Sequence, residues 1–220
     1  IVLEPEAGEH PLRLSAHAPV DPGAPAMTAW ALALALGAAV CWAALDALRK
    51  RLAEPGNEEV LVVVPSHAFA AVTDAVSAYQ PTSLSWATKG FDPGSQRLLH
   101  EVARERLGPQ GDLAVISGPT FAKEVARGLP TAITVASARA EHAHRLAEYL
   151  HAEFFRAYTS DDMIGVQVGG ASKNVLAIAA GIADGLGFGA NTRAALITRG
   201  LAEITRLGVA MGGKPETFMG

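Results

Sequence analysis

From residue 60 to residue 158, short β-branched runs alternate with stretches of helical period. That alternation restricts the fold more than any other feature of the chain. VLVVV (60–64), SLSWATK (83–89), LAVIS (113–117), TAITVAS (131–137) and FFRAY (154–158) each have the length and composition of a strand. The first is apolar throughout, as expected of a strand buried on both faces. Helical stretches fall at 65–78, at 96–107 where Gly108 closes the turn, and at 140–150, with a turn and a short helix in GPTFAKEVARG. Such alternation predicts βαβ units and an α/β sheet covered by helices on both faces. After Asp161 and Asp162 the strand signal stops. Asn191 or Thr192 can cap a helix running to Leu207, Gly208 can end it, and Pro215 can open another.

Charge and cysteine content exclude several classes. A net charge of -4 argues against the basic surface that broad nucleic-acid binding needs. Cys41 is the single cysteine, so there is no intrachain disulfide and no thiolate zinc cluster, and a reducing, cytoplasmic setting fits. The seven histidines show no metal-ligand spacing, and no metal is expected. His142 and His144, two apart on a helix, point in different directions and read as surface residues. Residues 1–27, rich in Pro, Gly and His, read as an irregular segment. Residues 29–45 form an uncharged run followed by Arg49, Lys50 and Arg51. It can be a helix packed on the domain or a membrane helix with a basic flank. Its length is at the lower limit for spanning, so membrane insertion is the less favoured reading.

In an open α/β sheet, ligands bind beyond the carboxyl ends of the strands. Three loops lie at such ends: Pro65, Ser66 and His67; Lys89 and Gly90; and Ser117, Gly118, Pro119 and Thr120. Lys89 there can meet an anion or stay solvated. Gly118 lets backbone approach a ligand, and Thr120 offers a hydroxyl at a helix N-terminus, as a phosphate contact or a simple cap. Lys123, Arg127, Arg193, Arg199 and Arg206 read as solvated or ion-paired. Lys173 stands alone as a base in GVQVGGASKNVLAIAAGIADG, with Gly169, Gly170, Leu176 and Ala177 as its helical neighbours. It either extends to water or sits in a partly dry pocket, where it becomes a proton donor or acceptor.

The motifs VVVPSHAF, WATKGFDP, AVISGPTFAKEVARGLPTAITVAS and the stretch from GVQVGGASKN to the final residues closely resemble bacterial NAD(P)-dependent sn-glycerol-3-phosphate dehydrogenases, from about residue 60 to residue 220. The resemblance implies a Rossmann domain followed by an all-helical domain. It implies cytoplasmic, reversible hydride transfer between NAD(P)H and dihydroxyacetone phosphate, giving sn-glycerol 3-phosphate for phospholipid synthesis, by an enzyme that forms a homodimer. By resemblance Lys173 is the proton acceptor or donor and Asn174 helps to hold the substrate or the lysine. Lys89 touches both substrate and cofactor, Gly118 and Thr120 contact substrate, and Ala122 contacts cofactor.

Two parts of the family pattern are missing. The glycines before Val60 (Gly8, Gly23, Gly37 and Gly56) do not form GxGxxG, the loop that cradles a dinucleotide pyrophosphate. No residue reading the ribose 2′ position is identified, which leaves NAD and NADP both open. Family members also continue past the equivalent of Phe218 with further helices. The expected fold is an incomplete Rossmann-type sheet over 28–162 followed by the first helices of an all-helical domain over 163–220. The expected function is that of a dehydrogenase fragment with impaired activity. The alternative is a non-catalytic remnant or interaction module, membrane-attached through 29–45.

Overall fold

The structure, a computed structural model, describes residues 59–219. The segments 1–27 and 29–45 and the glycines before Val60 lie outside the described residues. Five strands form one sheet in the order β1 (Glu59–Val62), β2 (Ser83–Trp86), β3 (Asp112–Ser117), β4 (Thr131–Ser137) and β5 (Phe155–Ser160). Their connections carry α1 (Ser66–Ser77), α2 (Leu99–Leu107), α3 (Ala122–Ala126) and α4 (Ala140–Leu150). Then follow α5 (Met163–Gly185), α6 (Gly189–Ala210) and a 3-10 helix (Pro215–Phe218).

The expected α/β sheet is present, with one change of direction. Strands β1, β2 and β3 are parallel, β4 runs antiparallel to β3, and β5 is parallel to β4. The β3–β4 connection is therefore not a βαβ crossover. Its helix, α3, has only five residues, too little to cover a sheet face, so the chain folds straight back beside β3.

Period-2 alternation distributes the core. Leu113 and Val115 of β3 join Leu84, Trp86, Phe69 of α1, and Leu99 and Val102 of α2 on one face. Ala114 and Ile116 join Ile133, Val135 and Leu146 of α4 on the other. Phe69 meets Trp86 edge-on, with ring centroids 5.5 Å apart and planes at 62°. Such a pair adds roughly 0.5–1.5 kcal/mol beyond burial.

Several boundaries differ from the sequence reading. β1 ends at Val62 rather than residue 64, and only Val62 is fully buried; Val63 is 42% exposed. β2 ends at Trp86 rather than residue 89. Past Trp86 the Thr88 hydroxyl donates to the Val64 carbonyl (2.7 Å) and accepts from the Val64 amide (3.3 Å), replacing the ladder. The second helix starts at Leu99, three residues later than expected, and ends at Gly108 with φ 74°. His142 is not at the surface. On α4 the buried positions are His142, Ala143, Leu146 and Ala147, a helical stripe that places the imidazole against the sheet. Arg145 donates to its Nδ1 (3.0 Å), and its Nε2 lies 3.4 Å from Ser85 Oγ and 3.8 Å from Glu59 Oε1. Burial pushes the imidazole below its ordinary value despite the opposing pull of Glu59. His144 is exposed, as expected.

Strands give way to helices at Asp162. One Asp162 oxygen caps α5 by accepting from the Gly165 amide (2.8 Å). The other accepts from the Lys214 amide (2.8 Å) and the Thr217 hydroxyl (2.5 Å), which ties the 3-10 helix to the start of α5. Gln167 fastens α5 to α2, accepting from the His100 amide (3.1 Å). Helix α6 starts at Gly189, before the expected cap at Asn191 or Thr192, and runs through Gly208. Gly208 does not end it; the Phe218 ring lies against that position, where a Cβ would overlap it. Gly208 is a packing glycine, and Gly212, with φ 98°, follows the helix end. By length and composition α5 is also apolar enough to cross a membrane; its first half packs on the sheet.

Candidate active site

The parallel strands β1, β2 and β3 end side by side, so their carboxyl-end loops converge on one edge of the sheet. The Thr88–Val64 bonds hold the β1 loop against the β2 loop. Gly90, with φ 115°, lets the β2 loop turn there: a Cβ would lie 3.4 Å from Ser66. Lys89 sits between these fixed points, half-buried. At the end of β3, Gly118 is wedged onto β4, where a Cβ would stand 2.6 Å from the Ala132 carbonyl oxygen.

Helix α5 crosses this edge. Lys173 is half-buried and its ammonium donates to the Gly118 carbonyl at 3.4 Å, so it does not simply extend to water. The Lys89 ammonium is pushed below the usual lysine range, first by burial and then by the charge of Lys173. Two lysines, one from the β2 loop and one from α5, therefore share one region with a backbone carbonyl. Such a pair attracts a phosphate or carboxylate, which offsets the repulsion, and can deliver a proton to an oxygen developing negative charge.

Of the residues expected at a site, the structure brings together Lys89, Lys173 and Gly118. Thr120 and Asn174 are exposed, adjacent in sequence to this cluster but outside its hydrogen bond. Thr120 is not a helix cap, since Phe121 occupies the cap position of α3 and Ala122 begins the helix. Lys123 and Arg127 are exposed. Arg193 pairs with Asp184 (2.7 Å), and Arg199 and Arg206 pair with Glu203. Beside them lie Thr88, which the sequence reading did not single out, Ser117, named only as part of its loop, and Gly170, named only as a neighbour of Lys173. For Thr88 only adjacency to Lys89 could have pointed to it. A cavity of about 470 Å³ lies elsewhere, beyond the carboxyl ends of β4 and β5, lined by Ser137, His144, Asp161 and Lys214. Its one lysine is already bound to Asp161 at 2.6 Å.

Comparison with known proteins identifies the family. Residues 48–143 match the family model of the NAD-dependent glycerol-3-phosphate dehydrogenase N-terminus, and residues 162–220 match that of its C-terminus. A glycerol-3-phosphate dehydrogenase (NAD(P)+) of Pseudoalteromonas translucida is 60% identical over 171 residues, covering 76% of this chain and 51% of the relative. Its counterpart in Stenotrophomonas maltophilia is 58% identical over 167 residues, covering 75% of this chain and 49% of the relative. The crystal structure of glycerol-3-phosphate dehydrogenase from Coxiella burnetii superposes with a TM-score of 0.70 at 51% identity, over 75% of this chain and 51% of that one. The chain thus spans about half the length of the curated relatives it matches. With both halves of the family pattern present in order, and with relatives at this identity, the chain belongs to the NAD-dependent glycerol-3-phosphate dehydrogenase family.

Proposed function

We propose that this chain carries the catalytic edge of an NAD(P)-dependent sn-glycerol-3-phosphate dehydrogenase that interconverts dihydroxyacetone phosphate and sn-glycerol 3-phosphate. The observation that carries the reading is the Lys173 ammonium, held 3.4 Å from the Gly118 carbonyl beside the desolvated Lys89. The described residues fit the reacting end of a nicotinamide site. They supply the carboxyl edge of three parallel strands and an ammonium whose charge a phosphate-bearing ligand would stabilise. The glycine pattern that would cradle a pyrophosphate has no counterpart before Val60.

The nicotinamide cofactor, when bound, supplies the hydride for reduction and accepts it for oxidation. Lys173 gives its proton to the substrate oxygen as that oxygen gains negative charge, and takes it back in oxidation. Gly118 aims the ammonium through its carbonyl. Lys89 offers positive charge to the substrate phosphate and the cofactor. Thr120, Asn174 and the start of α3 at Ala122 complete the proposed contacts to substrate and cofactor. The change from strands to helices at Asp162 supports a boundary between a dinucleotide-binding part over 28–162 and a helical substrate part over 163–220. The family supports a cytoplasmic enzyme that works as a homodimer.

The test completes the chain with the remaining segments of a close relative. Lys173→Ala should then lower kcat by about 10²–10⁴-fold, the usual contribution of a positioned proton donor. Lys89→Ala should raise the KM for dihydroxyacetone phosphate as well as lower kcat. Near-parental kcat in the Lys173→Ala chain would remove Lys173 from the chemistry.

A further inference from the structure

Helix α5 contains two adjacent glycines, Gly169 and Gly170, each costing about 1 kcal/mol of helix propensity relative to alanine. They face different surroundings. A Cβ at Gly169 would meet only the Phe218 ring edge at 3.9 Å, an ordinary contact. A Cβ at Gly170 would stand 2.8 Å from Ser117 Oγ and 3.9 Å from Lys89 Cγ. Gly170 is buried, and Lys173 follows it by three residues, on the same helix face. Two contacts one turn apart therefore seat α5 on the end of β3: Gly170 on Ser117, and Lys173 on Gly118. The β3 end cannot retreat. Ser117 is paired in register with Thr134 of β4, and a Cβ on Gly118 would already lie 2.9 Å from Ile133 Cα.

We propose that Gly170 is a positioning residue that sets the approach of the two lysines, its missing side chain letting α5 lie on Ser117 so that Lys173 reaches Gly118 beside Lys89. The inference rests on the dehydrogenase reading only for the use made of the lysines; the seating of the helix stands on geometry. A side chain at residue 170 lifts α5 from β3. It separates Lys173 from Gly118 and from Lys89, and it admits water to Lys89. Alanine is the mild case, because its one methyl is crowded by the Ser117 hydroxyl alone. Valine is the severe case, because its branches also run into the stem of Lys89.

The experiment reads the pH dependence of Lys89 acylation by trace acetic anhydride, followed by mass spectrometry, on the full chain without substrate or cofactor. Lys89 reacts as the free amine, so a weaker field from Lys173 and better hydration move its curve to higher pH. Gly170→Val should therefore lower Lys89 labelling severalfold at a fixed pH below the ordinary lysine range. Gly170→Ala should lower it less, and Ser117→Gly in the same chain should restore it. Gly169→Ala should raise the thermal midpoint and leave the Lys89 curve unchanged, which separates helix propensity from seating. Gly170→Ala should also keep or raise the midpoint, so a lost lysine coupling cannot be ascribed to unfolding. If Gly170→Val fails to fold, the alanine pair decides. An unmoved Lys89 curve in Gly170→Ala, or a shift that Ser117→Gly does not reverse, overturns the proposal. Because the labelling needs no turnover, it can succeed where the completed dehydrogenase shows no dependence on Lys173, and the reverse.

Discussion

Trp86 in the sheet and Ile178 in α5 are both large apolar side chains, yet one is fully enclosed and the other is 64% exposed. The contrast extends to their surroundings. In the sheet region both faces are closed by helices, with Met163 and Val166 of α5 completing one of them, and the core runs from Val62 to Val166. In the helical region the first half of α5 is anchored to the sheet, through Met163, Val166 and Val168, the Asp162 cap and Gln167. Its second half carries Val175, Ile178 and Ile182 at spacings of three and four, all exposed, and α6 adds Ile197 and Leu201. That spacing is the stripe of a helix shaped for burial. Lys173 lies where the anchored half ends. The site therefore takes its precision from the sheet and the first turns of α5, not from the exposed hairpin.

The widest gap between the regions should appear on truncating an enclosed side chain. Phe69→Ala removes a fully buried ring and its contact with Trp86. It should cost about 3–5 kcal/mol, enough to unfold a marginal domain. Urea unfolding would check it, and a loss below 1 kcal/mol would show that the sheet core is not the main source of stability.

The helical region has tight points of its own, among them Gly200 against Leu176 and Gly208 under Phe218. Gly208→Ala pushes a methyl into that ring. It should destabilise by about 1–3 kcal/mol from overpacking, less the helix propensity gained. Adding Phe218→Ala should return most of the loss, read as a coupling in a double-mutant cycle. Without coupling, the 3-10 helix is not seated on α6 in solution.

Acid should weaken the sheet region through one buried and one partly buried imidazole. Burial holds both His142 and His100 below their ordinary values. Near the usual imidazole range the unfolded chain therefore binds more protons than the native one, and stability rises with pH. It is complete above the unfolded value of about 6.5 and is lost as pH falls towards the folded values. The limiting slope is about 1.4 kcal/mol per pH unit for each histidine. Comparing urea midpoints at about pH 7.5 and 5.5 avoids most carboxylate titration. His142→Gln should flatten the dependence, and an unchanged slope would mean that the ring is hydrated in solution.

The limits of the sequence follow the same division. Strands β3 and β4 and helix α4 were legible because β-branched runs and a helical stripe report local period. The reversal of β4 was not, since nothing in a strand's composition encodes its direction. His142 was misread because spacing between two histidines says nothing of which lies on the apolar stripe; the alanines and leucine around it did. Gly208 looked like a helix stop because glycine serves both as a C-cap and as a packing gap, and only the distant Phe218 decides. At the candidate site, Lys89, Gly118 and Lys173 stood in motifs, and the structure brings the three together. The roles of Thr88 and Gly170 depend on contacts across 24 and 53 residues respectively, which no local pattern carries.

The smallest expected effect sharpens the comparison most. Ile178→Ala removes a side chain that is 64% exposed, and surface substitutions of this kind usually stay within about ±0.5 kcal/mol. The same truncation in a core costs about 2–5 kcal/mol, so the two situations are easily separated. If the exposed stripe of α5 is open in solution, urea midpoints of parent and variant should coincide. A loss above about 1 kcal/mol would mean that the stripe is covered. Repeating the measurement over a range of protein concentrations then identifies the cover. Self-association makes the loss grow with concentration, because binding stabilises the native state by mass action. Cover by another part of the same chain leaves it constant. Either result would move the helical region from an open scaffold to a second core, and the boundary of the anchored half would shift past Lys173.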